Sequence, residues 1–137
     1  MRTIDELTKQ LSQSGPLTAL LLPEDFAGED QVAASIAQKY KKDLKPNQTR
    51  RIFHTFKEID RHTRRAQEDT PLPDDDRTRL TLLAPEMAYA VGRDLIPRDF
   101  YEVLKLCLQK DKIQTVGDLR RLVEFLSAIL AYQKFYD

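Results

Sequence analysis

Apolar side chains recur every three to four residues along most of this 137-residue chain, and no stretch sustains a period of two. That spacing gathers them on one stripe of a helix rather than on one face of a strand. Glycine is scarce, with four isolated residues in the whole chain. The fold class expected is therefore all-α: a compact bundle of about five helices with a short N-terminal helical extension.

The chain divides accordingly. A first helix is expected over residues 4–13, with Thr3 and Glu6 at capping-box spacing and Ile4, Leu7 and Leu11 on one face. Gly15-Pro16 ends it. Residues 14–29, with two prolines, two glycines and the run Leu17 to Leu22, read as a loop that either packs elsewhere or stays mobile. Residues 1–29 are thus an extension, partly helical or mobile, and 30–137 the bundle domain. Within the bundle, a helix is expected over 30–44. A second starts near Asn47 as N-cap and runs to about Gln67. The segment EDTPLPDDD (68–76) holds five acids and two prolines and reads as a solvated, mobile loop. A helix from an Asp76 N-cap to Arg93 should bend at Pro85 and close on a left-handed Gly92. Another begins at Pro97. The last starts after Thr115, with Asp118 completing a capping box, and runs to the C-terminus.

A single cysteine, Cys107, leaves no intrachain disulfide and suits a reducing compartment. The N-terminus lacks an apolar signal core, and the run from Leu17 to Leu22 is far short of the roughly 20 residues of a membrane span. A cytoplasmic protein without a membrane partner is expected.

Formal net charge is zero, yet the charges are segregated. Residues 1–38 carry a net −4, residues 39–65 a net +7, residues 66–86 a net −4 and residues 87–137 a net +1. At about 100° per residue, Ile52, Phe56, Ile59 and Thr63 form a buried stripe. Arg50, His54, Lys57, Arg61, Arg64 and Arg65 fall within roughly 100° on the opposite side. A cationic face on the order of 20 Å long can follow several phosphates of a nucleic acid. The plainer reading is a solvated face, but such faces normally mix signs for i,i+4 pairing, and charge-footprint reasoning favours a polyanion.

Catalytic constellations are missing from the sequence. There is no glycine-rich phosphate loop and no nucleophile elbow. His54 and His62 are eight apart, whereas helical zinc pairs sit three or four apart. His54 reads as a helper on the cationic face and His62 as a plain surface histidine. Asp74, Asp75 and Asp76 are consecutive loop acids, and an N-cap explains Asp76 more simply than a metal site. Cys107 lies on an apolar face and reads as a core thiol. No cofactor, metal or enzymatic activity is expected.

Three segments carry a resemblance. NQTRRIFHTF (47–56), MAYAVGR (87–93) and AILAYQKFY (128–136) resemble, in order and spacing, motifs of the small subunit of the type III-A CRISPR effector, the Csm ribonucleoprotein. The match extends over residues 32–137. Thr49 stands where the family more often has an aliphatic residue, and Gln133 where it often has His.

The resemblance implies a non-catalytic helical bundle, stacked in several copies along the duplex of guide RNA and target RNA. Its partners would be those RNAs, the backbone and large subunits of the complex, and further copies of itself. Arg50 matches the arginine of the first motif, Arg93 that of the second and Lys134 the lysine of the third. With the cationic face, the expected RNA-binding residues are Arg50, Arg51, His54, Lys57, Arg61, Arg64, Arg65, Arg93 and Lys134. A subunit serving every guide must read backbone and shape rather than bases. Two other readings remain open: a helix-turn-helix DNA binder with Lys45-Pro46-Asn47 as its turn, and a structural adaptor between protein subunits.

Overall fold

The computed structural model describes all 137 residues. Eight helices and no strand make up the chain: α1 (Ile4–Leu11), α2 (Leu17–Leu20), α3 (Pro23–Phe26), α4 (Val32–Lys39), α5 (Pro46–His62), α6 (Asp74–Gly92), α7 (Arg98–Cys107) and α8 (Val116–Phe135). None is long and apolar enough to cross a membrane.

α8 is the central element because it is apolar on more than one side: Leu119, Leu122, Phe125, Leu126 and Ile129 are all buried. α4 and α5 pack along it, and α2 and α3 cover another part of its surface. α1 lies on α7 and α4, while α6 packs on α7 and touches α5. One apolar cluster runs from Ile4 to Ile129 and includes Leu7, Leu11, Leu17, Leu21 and Phe26.

Residues 14–29, expected as a loop, hold two single-turn helices instead. Pro16 and Pro23 preset the backbone of these turns. Tertiary contacts then fix them. Phe26 meets Phe125 edge-on at 5.3 Å, Arg121 donates to the Leu21 carbonyl at 2.8 Å, and the Thr18 amide donates to the Asp118 carboxylate at 3.0 Å. That buried carboxylate also accepts from the amides of Gln114 and Thr115, so it caps α8 as the Thr115–Asp118 box requires and anchors α2 as well.

Several helix ends differ from the sequence expectation. Thr3 caps α1 by accepting from the Glu6 amide, but Glu6 reaches back to the Arg2 amide rather than to Thr3. α5 begins one residue before Asn47, with Pro46 in its first turn and Lys45 as N-cap, so Asn47 is an exposed helical residue. α6 starts at Asp74 behind Pro73, which makes Asp76 its third residue. Asp76 is buried and pairs with His62 Nδ1 at 3.3 Å; that histidine is on the surface, as expected, with the carboxylate beneath it. α6 continues through Pro85, whose missing N–H lies on the exposed side, where water can satisfy the orphaned carbonyl. Its end is not capped at Gly92. Asp94 takes the left-handed conformation (φ 58°), and the amides of Asp94 and Leu95 close a Schellman turn on Val91 and Ala90.

The acidic segment 68–76 is also pinned. Leu72 is buried, its amide bonds to Gln114, and the Val116 and Gly117 amides donate to Thr70 and Glu68. A Cβ on Gly117 would meet the Glu68 carbonyl at 3.0 Å, so this close approach needs glycine.

A candidate RNA interface

α5 presents two different sides. Inward, Thr49, Phe53, Phe56 and Ile59 are buried, while Ile52, expected in the buried stripe, is only half-buried. Outward, Arg50, Lys57 and Arg61 are exposed, and no carboxylate pairs with any of them. The Lys57 ammonium lies 5.2 Å from the centre of the Phe53 ring.

His54 is placed differently from those three. Its Nε2 lies 3.0 Å from Glu58 Oε1, and the other oxygen of Glu58 accepts from Arg79 of α6 at 2.9 Å. Glu58 therefore bridges the two helices and offsets charge on one flank of the cationic face. Asp60, the other acid of α5, turns to the inner side and faces Arg120 at 3.8 Å.

Arg64 and Arg65 are exposed but not helical, because α5 stops at His62 with Thr63 as its cap. A side chain of α8 holds the segment just past that end. Nη2 of Arg120 lies 3.0, 2.7 and 3.0 Å from the carbonyl oxygens of Thr63, Arg64 and Ala66. A fixed cation at a helix C-terminus satisfies orphan carbonyls and opposes the helix dipole.

Two contacts establish how the helices run. Arg120, at the start of α8, holds the end of α5, and Gln133, near the end of α8, donates to the Leu44 carbonyl just before α5 at 3.0 Å. α5 and α8 are therefore antiparallel. α6 also opposes α5: Asp76 in its first turn meets His62, and Arg93 just past its end lines a cleft with Gln48 and Arg51. The start of α5, the end of α6 and the end of α8 consequently share one end of the bundle. These are the segments NQTRRIFHTF, MAYAVGR and AILAYQKFY. Arg93 and Lys134 are both exposed there; Lys134 has only Asp137 nearby, at 3.8 Å between two solvated groups.

The cleft between α5 and α6 has a volume of about 660 Å³. Ile52, Leu83 and Met87 give it an apolar lining, and Arg51 and Arg93 are its cations. Arg51 thus faces this cleft rather than the row of Arg50, Lys57 and Arg61. Tyr89, which the sequence reading passed over, also lines the cleft and is 65% exposed. Its signal was available, since it falls about 160° from Met87 on a helical wheel, outside the core stripe of α6.

A model of the Csm2 Type III-A family matches residues 24–137. The chain belongs to that family. It is a small subunit of the type III-A CRISPR effector complex, alongside the other Csm subunits. No curated protein and no solved structure matches the chain. The matched region of this Csm2 chain takes in all three segments and all nine basic or histidine residues expected at the interface.

Elsewhere, Cys107 of this Csm2 chain is fully buried, and burial pushes its thiol up to about 12, which keeps it protonated at neutral pH. Asp74 and Asp75 are exposed while Asp76 turns inward, so the three acids do not converge. Tyr40 is pushed up to about 12 by burial and by Asp99, whose carboxylate accepts from its hydroxyl at 3.2 Å.

Proposed function

We propose that this Csm2 chain is a non-catalytic subunit that holds RNA by its backbone, on the outer face of α5 and the adjoining ends of α6 and α8. The observation that carries this reading is the row of Arg50, Lys57 and Arg61, solvated and without acid partners. Like charges at helical spacing cost a few tenths of a kcal/mol each when nothing neutralises them, and a polyphosphate removes that cost. Arg51, His54, Arg64, Arg65, Arg93 and Lys134 would add contacts at the margins. The RNA would be the duplex of guide and target, bound by several stacked copies, because phosphates and 2′-hydroxyls are the groups that every guide shares.

The helix-turn-helix alternative is weaker. Residues 40–45 separate α4 from α5, longer than the three- or four-residue turn of that motif. A titration with single-stranded RNA, duplex RNA and duplex DNA of unrelated sequences, at two salt concentrations, tests the proposal. RNA affinities that agree within a few-fold across sequences and fall with salt are expected. A strong preference for one DNA sequence would replace it with the rival.

Binding and folding should separate at the carried-over positions. Met87 is 2% exposed, and Met87→Ala should lose roughly 2–5 kcal/mol of stability. Arg93→Ala and Lys134→Ala should stay within about 0.5 kcal/mol of the parent, Lys134 costing slightly more through the helix dipole, yet weaken RNA binding. Thermal melts beside RNA titrations check this. If Arg93→Ala unfolds the chain, its role is structural and not RNA contact.

A further inference from the structure

The cleft between α5 and α6 is built differently from the outer row of cations. Its lining is partly apolar, through Ile52, Leu83 and Met87, and an exposed aromatic ring stands at its edge. Arg93 lies 5.8 Å from the centre of the Tyr89 ring and donates to the Tyr89 hydroxyl at 3.3 Å. The hydroxyl is therefore partnered while the ring remains in solvent. Neither Arg51 nor Arg93 has a carboxylate partner.

A site that offers a planar apolar surface beside two guanidiniums without carboxylate partners suits a ligand that is flat and aromatic at one end and anionic at the other. A nucleotide has that chemistry, and a cleft of several hundred Å³ is large enough for one. A paired base cannot use it, because duplex bases are stacked inside and show only backbone, whereas an unpaired base can turn out and stack on an aromatic ring. We propose that this cleft takes a single unpaired nucleotide of the bound RNA. Its base lies against Tyr89 and the apolar lining, and its phosphate is held by Arg51 and Arg93. Glu86, the acid in the lining, can accept from N–H groups of the base. The inference rests on the RNA-binding reading above and adds a place where unpaired and paired RNA are told apart.

The test uses the full chain and two RNA duplexes of the same sequence, one carrying a single bulged 2-aminopurine. The parent chain should bind the bulged duplex several-fold more tightly and quench its fluorescence. Tyr89→Ala should lose the preference and the quenching while still binding the plain duplex, and Tyr89→Phe should retain both. Changing Arg50, Lys57 and Arg61 to Ala should weaken both duplexes and leave the preference in place. Equal binding of the two duplexes by the parent, or a preference untouched in Tyr89→Ala, would overturn the nucleotide site and leave backbone binding standing. Failure of the parent to bind either duplex would remove both. If Tyr89→Ala keeps its RNA preference but no longer joins the other subunits, the cleft receives a protein side chain and the inference is wrong.

Discussion

Replacing Arg50, Lys57 and Arg61 together with alanine should weaken RNA binding on the order of a hundredfold at 0.1 M salt. The figure follows from counterion release. If each side chain meets one phosphate, the log–log salt slope falls by about two to three units, at roughly 0.7–0.9 per phosphate. The loss should be similar for unrelated RNA sequences, because phosphates carry no sequence. Folding should be spared. All three side chains are exposed, alanine is the best helix former, and removing like charges relieves repulsion along the helix. Affinity titrations at several salt concentrations, with circular dichroism as the control, decide the matter. An unchanged slope would mean that the row is idle surface.

Arg120→Ala should have a large effect on stability for a residue that is not fully buried. One guanidinium serves three carbonyls at the end of α5 and faces Asp60 as well. Its side chain is only 24% exposed, so solvent cannot fully replace it. Hydrogen bonds from charged groups contribute roughly 1.5–3 kcal/mol each and are not additive, so a loss of about 3 kcal/mol is expected. In a domain of this size that lowers the melting temperature by about 10 °C. Arg120→Lys should recover only part of it, since a single ammonium can meet the carbonyls around Nη2 but leaves no second nitrogen to face Asp60. RNA affinity should fall in parallel through Arg61, Arg64 and Arg65, which sit on the end that Arg120 holds. An unchanged melt would show that α5 ends there for local reasons alone.

That contact also explains what the sequence could and could not reveal. The apolar stripes, the Thr115–Asp118 box and the inward faces of α7 and α8 follow from spacing within each helix, and they were legible. The end of α5 was not, because the side chain that holds the residues just past it stands at least 54 residues away along the chain. The same holds for 14–29 and 68–76. Their prolines and acids read as open loop, but Leu17, Leu21, Phe26 and Leu72 are buried by residues remote in the chain. Asp76 looked like a cap and is instead the buried partner of His62. In the candidate site, the row on α5 came directly from the helical wheel. The meeting of Arg51, Tyr89 and Arg93 in one cleft depends on α5 and α6 running antiparallel, which no local pattern states.

In the proposed function, RNA lies on one defined side of this chain. The most direct measurement is ultraviolet cross-linking of the assembled effector complex with target RNA bound, followed by mapping of the modified peptides. Cross-linked peptides should come from residues 47–65 and from the ends of α6 and α8, around Arg93 and Lys134. Cross-links confined to α1, α7 or the 68–76 segment, or none to this chain in a complex that holds its target, would contradict it.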